Sequence, residues 1–494
     1  MAEVGPYTPY STARPLMPAL ETWLDEYDAM RIAAYMLYER IYWNVPETFE
    51  LSRRGSSSLP IYIPNGRVIC DAANRYTATG FGYATDPAFG STSEQDTASA
   101  AFKALFDRER FLSKFHANKL FGIIRGDWAF HVVADPNRPE GKRISIYNVD
   151  PASLFLIPHP DDVERIMGVH LIETVEQDDK TYIKRQTYSK GPDPYDPDAD
   201  DGRIYSGLSV VEMEGWDTPN AQRLEEIMPH EAMPDLITAI PVYQIRNQEE
   251  PNNPWGSSEL RGMERVISAV NQAISDEELA LALEGLGMYA TNSGPPTDED
   301  GEETDWILGP GRVVEVEGDK DQVFFDRVDG VGSVKPYIDH LEFLTNSLRE
   351  GSGTPTIATG QVDVKVAESG VSLALQMSPI LSKCDLKDIS IRDATVQMFY
   401  DLKFWLQEYE GVNTGEALVA PVFGSKLPVN VDKEVDRVVK IVEAGLASPD
   451  WGRAELAKIG YQFAPDEGNK VVEAAAASAM AADPFADRLS TEMG

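Results

Sequence analysis

Three aspartates at alternate positions, Asp196, Asp198 and Asp200, followed by Gly202, are the residue types with which a helix-loop-helix calcium site begins. The spacing then fails. The sixth position, where such a loop turns on glycine, is Asp201, and the twelfth, where a glutamate binds through both oxygens, is Gly207. The segment GPDPYDPDADDG therefore reads as a solvated acidic turn. His116, His131, His159, His170, His230 and His340 are scattered, with no two placed four apart on one helical face as a zinc pair requires. Cys70 and Cys384 are too few for a Cys-rich metal centre and suit a chain folded in a reducing compartment. The chain has no G-x-x-x-x-G-K-[ST] to wrap phosphates, no strand followed by G-x-G-x-x-G, no G-x-S-x-G and no H-E-x-x-H. No metal, cofactor or catalytic residue is assigned. A carboxylate pair is recognised by separation in space, so an acidic intracellular hydrolase stays open as an alternative.

Eighty-one acidic residues against 44 basic ones give a formal charge of -37 over 494 residues. That balance argues against gripping nucleic acid through a broad basic face, because such binding is driven by cations that displace counterions from phosphates. No basic segment followed by an apolar run opens the sequence, and no stretch of about 18 apolar residues occurs, so neither secretion nor a membrane is expected. No period of 20 to 50 residues repeats.

The elements that must position any site are legible from periodicity. In MPALETWLDEYDAMRIAAYMLYERIYWN, Leu20, Leu24, Tyr27, Met30, Ala34 and Leu37 recur at threes and fours and predict a helix with that stripe inward. A second helix is expected from Ser91 or Ser93 to about Gly126, with Phe102, Leu105, Phe106 and Leu112 on one face. From there to Trp255, short alternating runs separated by Asp, Pro and Gly predict strands, which makes the first half an α+β body. A helix then carries Met263, Ile267, Val270, Ile274 and Leu281 on one stripe. The polar insertion NSGPPTDEDGEETDW follows it, then strand-like RVVEVEG and QVFFDRV. Tyr337, Leu341, Leu344 and Leu348 mark a returning helix, antiparallel to the first. The Gly- and Thr-rich GSGTPTIATGQVDVKVAE reads as a flexible loop that could be shortened between Thr356 and Val364 with little apolar loss. A very long helix capped by Ser369 follows, with Pro379 inside it to bend it. Shorter helices close the chain.

This succession resembles the portal proteins of tailed double-stranded-DNA bacteriophages. The likeness rests on GDWAFHVVADPNRPEGKRISIYNVDPASLF, on IPVYQIRNQEEPNNPWGSSELRGMERVISAVNQAISD, and on GSGTPTIATGQVDVKVAESGVSLALQMSPILSKCDLK, which together span about Gly126 to Lys387. None is a strict motif; their order and spacing carry the match. The resemblance implies a ring, typically of twelve copies, at one capsid vertex of the virion, assembled in the host cytoplasm. Double-stranded DNA enters and leaves through its channel. The implied partners are the packaging terminase, the capsid and scaffolding proteins, and later the head-to-tail connector proteins. By segment it implies an α+β wing body (1–255), a first stem helix (256–287), a protruding clip (288–332) and a second stem helix (333–350). A channel loop (351–368), a long kinked wing helix (369–410) and a crown with its tail (411–494) complete it. Thr356, Thr359, Gln361 and Lys365 would then face DNA, and Asp298, Glu299, Asp300, Glu302 and Glu303 would face terminase or connector. A smaller head-to-tail connector is the other structural alternative.

Overall fold

The computed structural model describes residues 26–52, 60–177, 180–213, 225–286, 288–292, 324–328, 335–360, 370–426 and 431–458. The chain divides into two units, Met1–Gly424 and Ser425–Gly494. The first unit opens with α1 (Glu26–Tyr42), α2 (Asn65–Tyr76), β1 (Gly82–Thr85), α3 (Thr92–Glu109) and α4 (Phe111–Arg125). Eight strands follow: β2 (Asp127–Ala134), β3 (Ile144–Val149), β4 (Leu154–His159), β5 (Asp162–Gln177), β6 (Lys180–Lys190), β7 (Ile204–Met213), β8 (Glu225–Ala232) and β9 (Val242–Arg246). Then come α5 (Glu264–Leu286), β10 (Met288–Thr291), β11 (Phe325–Val328), α6 (Lys335–Ser352), α7 (Gly370–Glu410) and β12 (Val419–Val422). The second unit contains α8 (Val431–Glu443) and α9 (Pro449–Lys458), packed on each other where Gly452 meets Val442 and Val438.

Every described strand pair is antiparallel. The sheets are β3-β2-β9, the meander β4-β5-β6-β7-β8, and the two pairs β1-β12 and β10-β11. The result is a mixed helix-and-sheet fold in which most helices precede or follow the strands.

The helix expected over 91–126 is two helices, and the reason is aromatic packing. Ser91 caps α3, its backbone N–H bonded to the Glu94 carboxylate at 2.7 Å and its hydroxyl accepting from Glu94 N. At 3.6 residues per turn, a straight helix would carry Phe111 about half a turn away from Phe102. Instead Arg110 takes a left-handed conformation (φ 54°) and restarts the helix. Phe111 and Phe115 thereby enter the same core as Phe102 and Phe106, with the Phe106 and Phe111 rings stacked at 4.4 Å. Leu112, expected inside, is exposed for the same reason. α7 closes this core from the other side with Met398, Phe399, Leu402 and Trp405, over the sheet residues Trp128, Phe130, Ile144 and Ile146.

The inward face of α1 also differs from expectation. Ile32, Tyr35, Tyr38, Ile41 and Tyr42 are buried, whereas Tyr27, Met30 and Leu37 are exposed. Leu20 and Leu24 lie outside the described residues. α1 is apolar on two faces, so periodicity alone cannot choose between them. Polar partners choose: Tyr35 donates to Asp127 at 2.6 Å, and Arg31 donates to the carbonyls of Pro151 (2.8 Å) and Leu154 (3.1 Å) while lying 3.7 Å over the Trp255 ring. The helix α2 had no counterpart in the sequence reading, being short and carrying Gly66 and two asparagines. Gly66 is required there, since a Cβ would stand 2.7 Å from Ile41 Cγ2.

The two larger sheets meet around Ala129, Val149, Val169, Leu171 and Tyr188. His131 Nε2 bonds Tyr188 Oη across this seam at 2.9 Å, and His170 bonds both Thr187 and Tyr195 at 2.8 Å. Burial pushes each imidazole down to about 4, with Lys184 adding to it at His131, and Arg185 and His230 at His170. Between about pH 6.5 and 4 the unfolded chain therefore binds protons that the fold refuses, so stability falls as pH drops through that window. We expect a loss on the order of 1–3 kcal/mol for each histidine. Denaturant unfolding at pH 7.5, 5.5 and 4.5 checks this: His131→Gln and His170→Gln should each flatten the dependence, and an unchanged slope in both would show that neither imidazole is held neutral.

Candidate functional site at the root of the helix pair

α5 and α6 form one antiparallel pair. Met263, just before α5, and Ile267 adjoin Leu348 and Gly351 at the end of α6, while at the far end β10 and β11 pair from Met288 to Val328. Ile267 and Val270 are buried, as the expected stripe requires, but Leu281 is exposed and Ala280 is the buried residue in that turn. Tyr337, Leu341 and Leu344 are half-buried. Leu348 and Ser352 are the buried residues described on α6, both in its last turn.

The root of this pair is built from the turn that precedes α5. Asp127 is wholly buried and accepts from Tyr35, from Gln244 at 2.9 Å and from the N–H of Gly256 at 2.8 Å. Burial nonetheless holds its carboxyl above the usual range, outweighing the hydrogen bonds that favour its charge. Gly126 and Gly256 permit this approach, for a Cβ on Gly126, whose φ is +117°, would stand 2.8 Å from Gly256 O. Ser258 Oγ then donates to Ile124 O and Glu259 N to Ile123 O at 3.0 Å, so the turn is pinned to the end of α4.

Glu259 is the centre of the arrangement. Its side chain is 1% exposed and pairs with both Lys383 and Lys387 of α7. Burial alone would raise its pKa, but the two lysines outweigh burial and hold it below the ordinary value. Lys383 also donates to Ser352 O, the last carbonyl of α6, at 2.7 Å. One carboxylate and two ammonium groups thus join the start of α5, the end of α6 and the middle of α7. The neighbouring turn is tied in the same way: Ala78 N donates to Asp388 at 2.7 Å, and Lys119 donates to the carbonyls of Asn74 (2.9 Å) and Thr77 (2.7 Å). Burial pushes Lys119 down to about 8.

The segment expected as a flexible loop from Gly351 is, in its first part, fixed. Gly351 and Ser352 complete α6, and residues Thr356–Thr359 form a short 3-10 helix. Ile357 and Ala358 are buried, and Arg75 donates to Ala358 O at 3.1 Å. Of the residues expected to face DNA, Thr356 is exposed, while the Thr359 hydroxyl is spent on Thr356 O at 2.7 Å. Gln361 and Lys365 lie outside the described residues, as do Asp298, Glu299, Asp300, Glu302 and Glu303. Periodicity passed over Glu259, Lys383 and Lys387. The signal was present, since Lys387 falls in the buried row Ile380, Cys384, Lys387, Ile391, where a lysine needs a partner.

Other acidic groups are occupied by structure. In GPDPYDPDADDG, Asp193, Asp196, Asp200 and Asp201 each accept from a backbone N–H two residues ahead, at 2.9 to 3.1 Å. A cleft of about 650 Å³ between the two larger sheets is lined by His131, Asp150, Glu173 and Lys184, but Asp150 is held by Arg125 at 2.5 Å and Glu173 lies opposite Lys184 in the ladder. Among the described residues no group of three His, Cys, Asp or Glu is placed to hold a metal ion, and no helix is long and apolar enough to cross a membrane.

Neither a protein-family model nor a curated protein matches the sequence. Among solved structures, a chain of the neck of an empty gene transfer agent particle, determined with C6 symmetry, is 14% identical with a TM-score of 0.41. A chain of the virion of a native gene transfer agent particle is 14% identical with a TM-score of 0.38. Each likeness covers 80% of this chain and 90% of the other. At these scores the two likenesses carry no argument about role.

Removing the Glu259 charge should strand two lysines inside the protein. We expect Glu259→Gln to lower the unfolding free energy by about 3–5 kcal/mol, and the combination Glu259→Leu, Lys383→Met and Lys387→Met to recover much of it. Equilibrium denaturation decides; a Glu259→Gln variant as stable as the parent would remove this cluster from its place as the fastening.

Proposed function

We propose that this chain is the subunit of a portal-type ring through which double-stranded DNA enters and leaves a virus-like capsid. The observation that carries the reading is the antiparallel pair α5 and α6, closed at one end by the β10-β11 pair and rooted at the other in the Glu259 cluster. α6 runs 18 residues, yet its fully buried residues among those described, Leu348 and Ser352, lie at its end, and Tyr337, Leu341 and Leu344 are only half-buried. A helix of that length is marginal in water without packing, so neighbouring copies are the natural cover for the rest of the pair. On this reading α5 and α6 are the stem. Residues 288–332, with Asp298, Glu299, Asp300, Glu302 and Glu303, are the clip that meets terminase and then the connector. α7 belongs to the wing, and the chain beyond 411 is the crown. The anchored part of 351–360 is the seat of the channel loop, with exposed Thr356 on it and Gln361 and Lys365 beyond it as DNA-facing residues.

The charge of -37 fits a conduit. A wall that neutralised phosphates would hold DNA by counterion release, whereas an acidic wall lets it slide. With a Debye length of about 8 Å, the repulsion acts only across a narrow gap and centres the duplex. The chain supplies no phosphate-binding loop of its own, so the motor is a separate protein, the terminase.

The mass of the purified protein in solution tests the ring: a multiple near twelve of the 54.6 kDa chain is expected, and a monomer at all concentrations would contradict it. Deleting 296–304 should spare ring assembly and impair DNA packaging into proheads. Shortening within 361–368 should spare the ring and weaken packaging or retention, whereas cuts reaching Ile357 should destabilise the chain, because Ile357 and Ala358 are buried. Wild-type packaging by the 361–368 variant would remove that segment from the constriction.

A further inference from the structure

The described part of the first unit leaves two rows of apolar side chains facing water. On α7 the row is Leu386, Ile389, Asp393, Val396 and Tyr400, all exposed, with Leu386 at 71%. On α1 it is Met30, Ala33, Leu37 and Arg40, with Met30 at 58% and Arg40 half-buried. Both rows step by threes and fours, the spacing that seats one helix in the groove of another. Such a spacing asks for a helical partner, and within the folded chain the two rows do not cover each other.

We propose that the α7 row of one copy packs against the α1 row of a second copy, with Arg40 paired to Asp393 across the seam. The proposal rests on the ring reading above and names the contact that closes the ring. Three features fit the two rows to each other. Arg40 is the one cation of its row and Asp393 the one acid of the other, and neither has an ion-pair partner among the described residues. When the helices are laid antiparallel with Arg40 opposite Asp393, Leu37 meets Val396 and Ala33 meets Tyr400, so a small residue receives a large one. The seam also carries one charge of each sign, so two chains of charge -37 can approach there without burying like charges. Because the two faces differ, each copy offers one to either neighbour. That is the heterologous arrangement that closes into a ring.

The experiment uses the full chain, with mass read by sedimentation or native mass spectrometry and folding by thermal melting. Leu37→Glu blocks the α1 face and Val396→Glu, at the residue opposite it, the α7 face. Each variant alone should be a folded monomer with an unchanged melting profile, both positions being exposed. Mixed together they should form a one-to-one dimer, since each retains the face that the other lacks. Arg40→Asp and Asp393→Arg should each weaken assembly by about tenfold, and the double variant should restore it. A wild type that is a monomer throughout overturns both this contact and the ring. A wild-type ring whose mass is kept by Leu37→Glu and Val396→Glu overturns the contact alone. Self-association of Leu37→Glu into dimers overturns it as well, by showing that α7 meets α7.

Discussion

Glu259, held between Lys383 and Lys387, is the interaction on which the rest of the structure depends. A carboxylate taken out of water costs several kcal/mol unless it is paired, so the chain must bring both lysines to it before the core closes. That demand fixes three otherwise separate things: the turn at 255–259, the end of α6 through Ser352 O, and the rotation of α7 about its axis. Once α7 is fixed, Met398, Phe399, Leu402 and Trp405 face the aromatic core, and the opposite face is left to water. The cluster at the root of the helix pair and the exposed row on the outside of α7 are therefore consequences of one rotational setting.

A second buried network plays the same part for α1. Arg31, Tyr35, Asp127, Gln244 and Trp255 tie α1 to β2, β9 and the turn before α5 through short hydrogen bonds and one cation–π contact. Polar groups at a seam cost more than apolar ones if mispaired, which makes them selective. Here they choose which of two apolar faces of α1 turns inward. The discarded face does not become polar, and its remaining apolar row is what calls for a partner beyond the chain. Two helices thus carry apolar rows that the described part of one copy does not cover.

The element order was largely legible in the sequence, because hydrophobic periodicity reports helices and strands locally. The helices at 264–286 and 335–352 follow from their stripes, and the helix at 370–410 from its long run after Ser369. What failed was everything that depended on non-local contact. The break at Arg110 answers to aromatic rings that meet only in the folded core. The inward face of α1 answers to Asp127 and Trp255, about 90 and 220 residues further along the chain. The segment after Gly351 looked like loop by composition, yet Ile357 and Ala358 are buried there and Arg75 pins the backbone. The Glu259 cluster was hidden because its partners lie more than 120 residues apart, although a lysine in an apolar row was a readable sign. The acidic residues 298–303, together with Gln361 and Lys365, stand as expectations of the resemblance.

The central claim is that copies of this chain surround a channel with α5 and α6 as its stem. Electron cryomicroscopy of the purified full-length protein tests it most directly. The account predicts annular particles whose axial views show an open centre, with the paired helices of each copy standing side by side around it and α1 of one copy lying along α7 of the next. Particles that are single chains, or closed assemblies with α5 and α6 on their outer surface and no axial opening, would contradict it.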